Sequence, residues 1–122
     1  MYLVNKKEYK CSIDIAQDIF NDNWKMKIIW HLLDGEKRYK ELNEEVKHIT
    51  QRTLTLKLRE LEEKHLIKRV SFPEIPPRVV YSLTPIGEKL RPILNNMFDW
   101  GIDYVKECGS FTEEGKCESK FA

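Results

Sequence analysis

Residues 50–83 read TQRTLTLKLRELEEKHLIKRVSFPEIPPRVVYSL, and this stretch decides the fold. In its first half, Leu54, Leu58 and Leu61 recur at steps of three and four residues, which places them on one face of a helix. Its second half alternates apolar and polar residues on both sides of a segment with three prolines, which cannot donate ladder hydrogen bonds. The stretch therefore predicts a helix followed by two strands, the second with one face covered, joined by a stiff loop.

A shorter helix is predicted just upstream, over residues 40–46, with Leu42 and Val46 facing inward. The three residues between the two helices are typical of a helix-turn-helix. Lys37, Arg38 and Tyr39 are candidates for a brief strand beside the hairpin. The order of helix, turn, helix and hairpin is that of a winged helix-turn-helix, so the expected fold is mainly α with a small β-hairpin wing.

The helix face opposite the leucines carries side chains suited to DNA. From Lys47 to Arg59 the chain has four bases (Lys47, Arg52, Lys57 and Arg59) and no acid, although the formal net charge of the whole chain is only +1. Arginine can pair with guanine, glutamine can pair with adenine, and leucine and threonine methyls can contact the thymine methyl. The predicted DNA contacts are Thr50, Gln51, Arg52, Thr53, Thr55, Leu56, Arg59 and, in the wing, Arg78.

Two alternatives stay open at this point. A charged face opposite a leucine stripe is also what an ordinary solvated helix presents, and a winged helix can serve as a protein-interaction module without sequence-specific DNA binding. Arg78 could contact phosphate or enter the minor groove, or it could be an ordinary exposed strand residue. Salt dependence separates the two functions, because DNA binding weakens steeply as salt rises.

Helices are expected on both sides of this unit. Ser12 is predicted to cap a first helix over about residues 12–20, and Asn23 to cap a second one. Thr84 followed by Pro85 predicts the start of one long helix over about residues 85–106, since threonine caps helices and proline suits the first helical position.

The long helix exceeds what a domain of this size needs to cover its own core, so its apolar stripe is expected to pack against a second copy of the chain. Together with the first helix it would form the dimer interface, and a monomer that buries the helix entirely is the alternative. The predicted dimer contacts are Ile13, Ile93, Met97, Trp100 and Tyr104, with Leu94 and Phe98 broadening the stripe.

A chain of 122 residues suits one domain, assigned here to residues 1–106, with residues 107–122 as a mobile tail. With 41% apolar and 34% charged residues, the composition is that of a soluble globular protein. No apolar run is long enough to span a membrane, and the first ten residues do not resemble a secretory signal. A cytoplasmic location is therefore expected.

Several short motifs, taken together and in order, resemble those of HxlR-type winged helix-turn-helix transcriptional regulators over about residues 11–105. The resemblance implies a homodimeric bacterial transcription factor that binds an operator through the helix at residues 50–64 and the wing. We further expect the operator to be palindromic double-stranded DNA and the regulator to act as a repressor, although the sequence alone does not decide between repression and activation. The chain departs from the family at Asp22 and Asn23, where relatives usually carry two glycines, and at Leu56, which is often polar. The motifs are Cys11, Asn23-Trp24-Lys25, Ile49-Thr50-Gln51-Arg52, Leu58-Arg59-Glu60-Leu61-Glu62, Pro76-Pro77-Arg78-Val79, Tyr81-Ser82-Leu83-Thr84 and Asp99-Trp100-Gly101.

Cys11 is a candidate sensing thiol. Its place just before a helix and beside Lys10 has a positive potential that favours the reactive thiolate. The resemblance implies the same role, because family members sense electrophiles or oxidants through a cysteine at this place. A small electrophile or oxidant is thus a candidate effector, and the alternative is an inert thiol packed at the dimer seam.

The remaining chemistry-bearing residues do not suggest catalysis. Cys108 and Cys117 fall near or within the predicted tail, and the three cysteines have neither zinc-site spacing nor a disulfide framework. The sequence also lacks a glycine-rich phosphate loop and a nucleophile with an evident base. We therefore expect no enzyme activity, no metal and no cofactor.

Overall fold

The computed structural model describes residues 1–112, which form helices packed around a small antiparallel sheet. The helix-turn-helix and the wing both follow the predicted order, so the winged helix-turn-helix fold is confirmed. The elements are β1 (Tyr2–Val4), β2 (Lys7–Tyr9), α1 (Ser12–Ile19), α2 (Lys25–Leu32), β3 (Lys37–Arg38), α3 (Tyr39–Glu45), α4 (Gln51–Glu63), β4 (Ile67–Phe72), β5 (Arg78–Leu83), α5 (Pro85–Glu88) and α6 (Arg91–Cys108).

The core lies where α4 packs on α2 and α3. Leu54, Leu58 and Leu61 are buried, as their spacing predicts, and they belong to one apolar cluster with Ile28 and Ile29 of α2. The inward residues predicted for α3 are buried in the same cluster. This packing leaves the opposite side of α4 facing solvent, which is the side predicted to contact DNA.

The wing sheet has the strand order β3, β5, β4 and is antiparallel throughout. Its β3 confirms the predicted brief strand, although Tyr39 belongs to α3. The prediction that only one face of β5 is covered is wrong, because the neighbouring residues Val80 and Tyr81 are both buried. β5 is the central strand, with β3 on one side and β4 on the other, and Val80 pairs with Arg38 of β3.

Two predicted helix caps are wrong. Cys11, not Ser12, is the N-cap residue of α1, because the first turn closes on the Cys11 carbonyl with a 3.1 Å hydrogen bond from the Asp14 N–H. At α2 the capping side chain is Asp22, not Asn23. Its Oδ1 accepts hydrogen bonds from the backbone N–H groups of Trp24 at 2.7 Å and Lys25 at 2.9 Å. A carboxylate there also meets the positive end of the helix dipole.

The predicted single helix after the wing is two helices. Thr84 caps α5 as expected, with its hydroxyl accepting a 3.2 Å hydrogen bond from the Gly87 N–H. The chain then breaks before Arg91, because Pro92 has no N–H to continue a helix and fits only the first turn of a new one. The second helix, α6, continues to Cys108, two residues beyond the predicted end of the helix at residue 106. Residues 113–122, including Cys117, lie outside the described residues.

A short N-terminal hairpin, β1 and β2, was not predicted. Asn5 and Lys6 connect its strands with φ angles of 47° and 68°, as in a type I′ turn, but without the glycine that usually marks such a turn in sequence. The Tyr9 hydroxyl donates to Asp18 of α1, and Lys7 Nζ lies 3.0 Å from the same carboxylate. The hairpin is thereby tied to α1. Among residues 1–112, no helix is long and apolar enough to cross a membrane.

Candidate nucleic-acid interface

The turn between α3 and α4 fixes where the second helix begins. His48 has a φ of 69°, in the left-handed region that reverses the chain, and Ile49 is buried behind it. The Thr50 hydroxyl accepts a 3.1 Å hydrogen bond from the Thr53 N–H and lies 3.0 Å from the Thr53 hydroxyl. Two predicted DNA contacts, Thr50 and Thr53, therefore also stabilise the first turn of α4.

The exposed face of α4 brings five of the predicted DNA contacts together. They line a shallow groove of about 450 Å³ that also includes Tyr39 of α3. Leu56 is 47% exposed and confirms the expectation of a leucine on the solvent side of this helix. The face combines guanidinium and amide hydrogen-bond donors with an apolar contact, a set that can read base edges. The five residues are Gln51, Arg52, Thr55, Leu56 and Arg59.

Tyr39 belongs to this face although it was not among the predicted DNA contacts. Its hydroxyl donates a 2.8 Å hydrogen bond to the Gln51 carbonyl and lies 2.9 Å from the Thr55 hydroxyl. It thus joins the start of α3 to the first turns of α4. A tyrosine one helix upstream has no periodic relation to α4, so no local pattern could indicate these contacts.

Lys57 does not belong to the exposed basic face. Its Nζ lies 3.1 Å from Asp22 Oδ2 and 3.4 Å from Glu60 Oε2. Burial alone would lower the pKa of Lys57, but these two carboxylates outweigh it and raise the pKa above the usual value. Of the four bases counted between residues 47 and 59, Lys57 is therefore neutralised within the protein.

The wing places Arg78 against its own loop. Arg78 Nε donates a 2.8 Å hydrogen bond to Glu74 Oε2, and its guanidinium lies 4.1 Å from the centre of the Phe72 ring. The side chain remains about one-third exposed. Two further bases, Lys68 and Arg69 of β4, are exposed on the wing. The wing thus carries positive charge of its own, with Arg78 held by Glu74.

An apolar stripe runs along the outside of α6. Ile93, Met97, Trp100 and Tyr104 are all exposed, and the Trp100 and Tyr104 rings stack at 5.3 Å. Ile13 of α1 is exposed as well. Leu94 and Phe98 are a correction to the predicted stripe, because Leu94 is buried and Phe98 stacks on Trp30 at 5.5 Å within the same chain.

Cys11 and Cys108 are both free thiols, and both are exposed. Cys11 sits at the N-cap of α1 and Cys108 ends α6. Within the described part of the chain, no group of three or more histidine, cysteine or acidic side chains could hold a metal ion.

The helix-turn-helix, its exposed basic face and the wing agree with a comparison against known families. A sequence model described as HxlR-like helix-turn-helix matches residues 19–108. The chain belongs to this family. YdeP of Bacillus subtilis, an HTH-type transcriptional regulator, is 40% identical over 110 residues, which cover 90% of this chain and 86% of YdeP.

Solved structures of two regulators are similar to this HxlR-like chain. The redox regulator HypR in its reduced form has a TM-score of 0.75 at 37% identity, covering 80% of this chain and 96% of HypR. The reduced form of YodB from B. subtilis has a TM-score of 0.69 at 32% identity, covering 88% of this chain and all of the YodB chain. The family and these neighbours are DNA-binding transcriptional regulators, not enzymes, and this chain is a helix-turn-helix transcriptional regulator.

Proposed function

We propose that this HxlR-like regulator is a homodimeric, cytoplasmic repressor that binds a palindromic operator in double-stranded DNA. The observation that carries the proposal is the exposed face of α4, where Arg52, Leu56 and Arg59 lie together while the opposite face is buried. A helix with this division can enter the major groove without disturbing the core. A bound dimer would occlude promoter DNA, which is the simplest route to repression.

Each side chain of the face has a proposed task. Arg52 and Arg59 would pair with guanine, Gln51 with adenine, and Leu56 would contact a thymine methyl. Thr50, Thr53 and Thr55 would approach the DNA backbone near the start of α4, where the N–H groups of the first turn also point. Arg78 would exchange Glu74 for a phosphate at the wing.

The exposed stripe of α6 supports the dimer. Four apolar side chains at positions 93, 97, 100 and 104 form a row that a second copy could cover with its own row. Ile13 of α1 would extend the contact. A two-fold dimer matches a palindromic operator, because each protomer then reads one half-site in the same orientation.

Cys11 is the proposed sensing thiol, and a small electrophile or oxidant is its effector. The thiol is free and exposed, and the related HypR is a redox regulator with reduced and oxidised structures. With a peroxide, the Cys11 thiolate would attack one oxygen. The O–O bond breaks, hydroxide leaves, and the sulfur, having lost two electrons to the peroxide, becomes a sulfenic acid. Modification at α1 would then shift the two winged units relative to each other.

Fluorescence anisotropy tests the proposal with DNA from upstream of the gene and a scrambled duplex of equal length. Specific binding that weakens steeply with salt is expected. Equal and weak binding to both duplexes at all salt concentrations would favour the protein-interaction alternative.

The sensing step has a matched control in the second exposed thiol. Peroxide should release DNA from the wild-type protein and from Cys108→Ser, but not from Cys11→Ser. Release that persists in Cys11→Ser would remove the sensing role and leave the DNA-binding proposal standing.

A further inference from the structure

Four charged side chains form a closed ring between the α1–α2 link and α4. Lys25 Nζ lies 3.4 Å from Asp22 Oδ2 and 3.0 Å from Glu60 Oε2. On the other side, Lys57 Nζ lies 3.1 Å from Asp22 Oδ2 and 3.4 Å from Glu60 Oε2. Each charge therefore has two neighbours of opposite sign, and the ring is neutral overall.

The ring is largely shielded from solvent. The Lys25 side chain is 8% exposed, Lys57 17%, Asp22 19% and Glu60 31%. Charges so placed need their partners, because removing one member leaves an uncompensated charge among the three that remain, in a place shielded from solvent. Asp22 is also held by hydrogen bonds at the start of α2, where its Oδ1 accepts from the backbone N–H groups of Trp24 and Lys25. Two members of the ring are thus anchored in and before α2, and the other two belong to α4.

The position of the ring along α4 connects it to DNA contact. Lys57 directly follows Leu56, and Glu60 directly follows Arg59, so the ring flanks the exposed face of the helix. The buried leucines hold α4 at its depth, but apolar packing is not directional. The ion pairs of Lys25 with Glu60 at 3.0 Å and of Lys57 with Asp22 at 3.1 Å join α4 to α2 and to the link before it. Because they hold two points on one side of α4, they restrict rotation of the helix about its axis.

We propose that Asp22, Lys25, Lys57 and Glu60 are positioning residues that set the rotation of α4, and thereby which base edges its exposed arginines reach. None of the four contacts DNA. The ring also joins α4 to the link after α1, the helix that carries Cys11 at its N-cap, so a displacement of α1 reaches α4 through Asp22. This inference rests on the proposed DNA-binding function and adds the residues that control its specificity.

Two simpler roles make different predictions. If Lys57 were a phosphate contact, Lys57→Met would weaken binding to all duplexes and reduce the salt slope by about one. If Glu60 acted only by repelling phosphate, Glu60→Gln would strengthen binding to all duplexes. A positioning ring predicts instead that both variants lose preference among sequences, while the salt slope on scrambled DNA is unchanged.

The experiment begins with the full-length wild-type protein and a random duplex library, from which the preferred sequence is selected. Affinities for that duplex and for a scrambled one are then measured for Asp22→Asn, Glu60→Gln, Lys57→Met and the double variant of Asp22 and Glu60. Glu63→Gln is the control, because it removes the same charge from an exposed position of α4. Thermal melting defines a temperature at which every variant is fully folded.

The expected result is a loss of preference of about threefold to thirtyfold in each ring variant, with little change for Glu63→Gln. Asp22→Asn is decisive, because Asp22 lies outside the helix-turn-helix. The double variant should lose less than the sum of the two single losses, since one ring is broken in each case. Unchanged preference in folded Asp22→Asn and Glu60→Gln would overturn the positioning role alone. A wild-type protein that enriches no sequence would overturn the proposed function and the positioning role with it.

Discussion

The hydroxyl of Tyr39 donates a 2.8 Å hydrogen bond to the backbone carbonyl of Gln51, the first residue of α4. The same oxygen lies 2.9 Å from the Thr55 hydroxyl. One side chain at the start of α3 therefore holds the first turns of the helix that we propose to read DNA. The two helices of the helix-turn-helix are joined by polar contacts at the surface as well as by their buried apolar residues.

Tyr39→Phe tests the value of this contact. The change removes only the hydroxyl, so we expect a loss of about 0.5–1.5 kcal/mol in the free energy of unfolding and weaker binding to the preferred duplex. Urea denaturation and anisotropy measure the two effects. Stability and affinity both equal to those of the wild-type protein would show that the hydrogen bond contributes nothing in solution.

Arg52→Lys should separate charge from base recognition. Lysine keeps the positive charge but cannot reproduce the bidentate pairing of arginine with guanine. We expect the preference for one base pair to fall by about 1–3 kcal/mol, while the salt dependence of binding stays the same. Binding to a set of duplexes with single base-pair changes identifies the position. An equal loss on every duplex would instead assign Arg52 to a phosphate.

The pH dependence of stability should report on Asp22. Burial alone would raise the pKa of its carboxyl, but the backbone N–H groups of Lys25 and Trp24 and the side chain of Lys57 lower the pKa to about 2 from a usual 3.8. Because this pKa is lower in the folded than in the unfolded state, the ionised carboxyl stabilises the fold at pH values above the unfolded-state pKa. That stabilisation is lost as the pH falls from about 4 to about 2. The contribution is about 2 kcal/mol.

Urea denaturation between pH 2 and pH 7, at fixed protein concentration, measures this effect. The wild-type protein should lose stability through the acidic window, and Asp22→Asn should lose about 2 kcal/mol less over the same range. Parallel curves for the two proteins would contradict the assignment to Asp22. Glu60, whose pKa is lowered first of all by its hydrogen bond with Lys25, should add to the slope in both proteins.

Trp100→Glu tests the proposed dimer interface. Trp100 is 66% exposed in one chain, so a charge there should not disturb the fold, but it would be desolvated at the centre of an apolar seam. We expect the variant to sediment as a monomer where the wild-type protein is a dimer. Ile75→Glu, at the fully exposed tip of the wing, is the matched control and should remain dimeric. A dimeric Trp100→Glu variant would place the interface elsewhere.

Two glycines should respond in opposite ways to an added methyl group. A Cβ at Gly87 would clash with the backbone carbonyl oxygen of Leu66, so Gly87→Ala should destabilise the protein by about 1–3 kcal/mol. A Cβ at Gly101 meets no atom within 4 Å, and Gly101→Ala in α6 should stabilise by about 0.5–1 kcal/mol. Thermal melts of both variants measure these changes in stability. A Gly87→Ala variant as stable as the wild-type protein would contradict the close approach of α5 to the backbone of Leu66, just before β4.

Part of the fold followed directly from sequence because its cause is local. The leucines of α4 lie on one face by helix geometry, and the proline segment after Phe72 cannot continue a ladder, so the order of helix and hairpin needs no knowledge of distant residues. The Thr84 cap is local in the same sense. The break between α5 and α6 was not predicted, because two local signals conflict there. Thr84 and Pro85 favour the start of one helix, whereas Pro92, eight residues after Thr84, favours the start of another.

The sequence by itself therefore determined the winged helix-turn-helix, the buried side of α4 and the exposed stripe of α6. Each of these depends on the spacing of apolar residues along a single element, which decides the face on which they lie. The tertiary structure alone decided which polar side chains of that unit are free. Lys57 and Arg52 look alike in sequence, yet Asp22 of the α1–α2 link pairs with Lys57, while Arg52 remains on the exposed face. The partner of a charged side chain depends on which elements meet in space. The residue spacing along α4 does not indicate that the α1–α2 link packs next to Lys57.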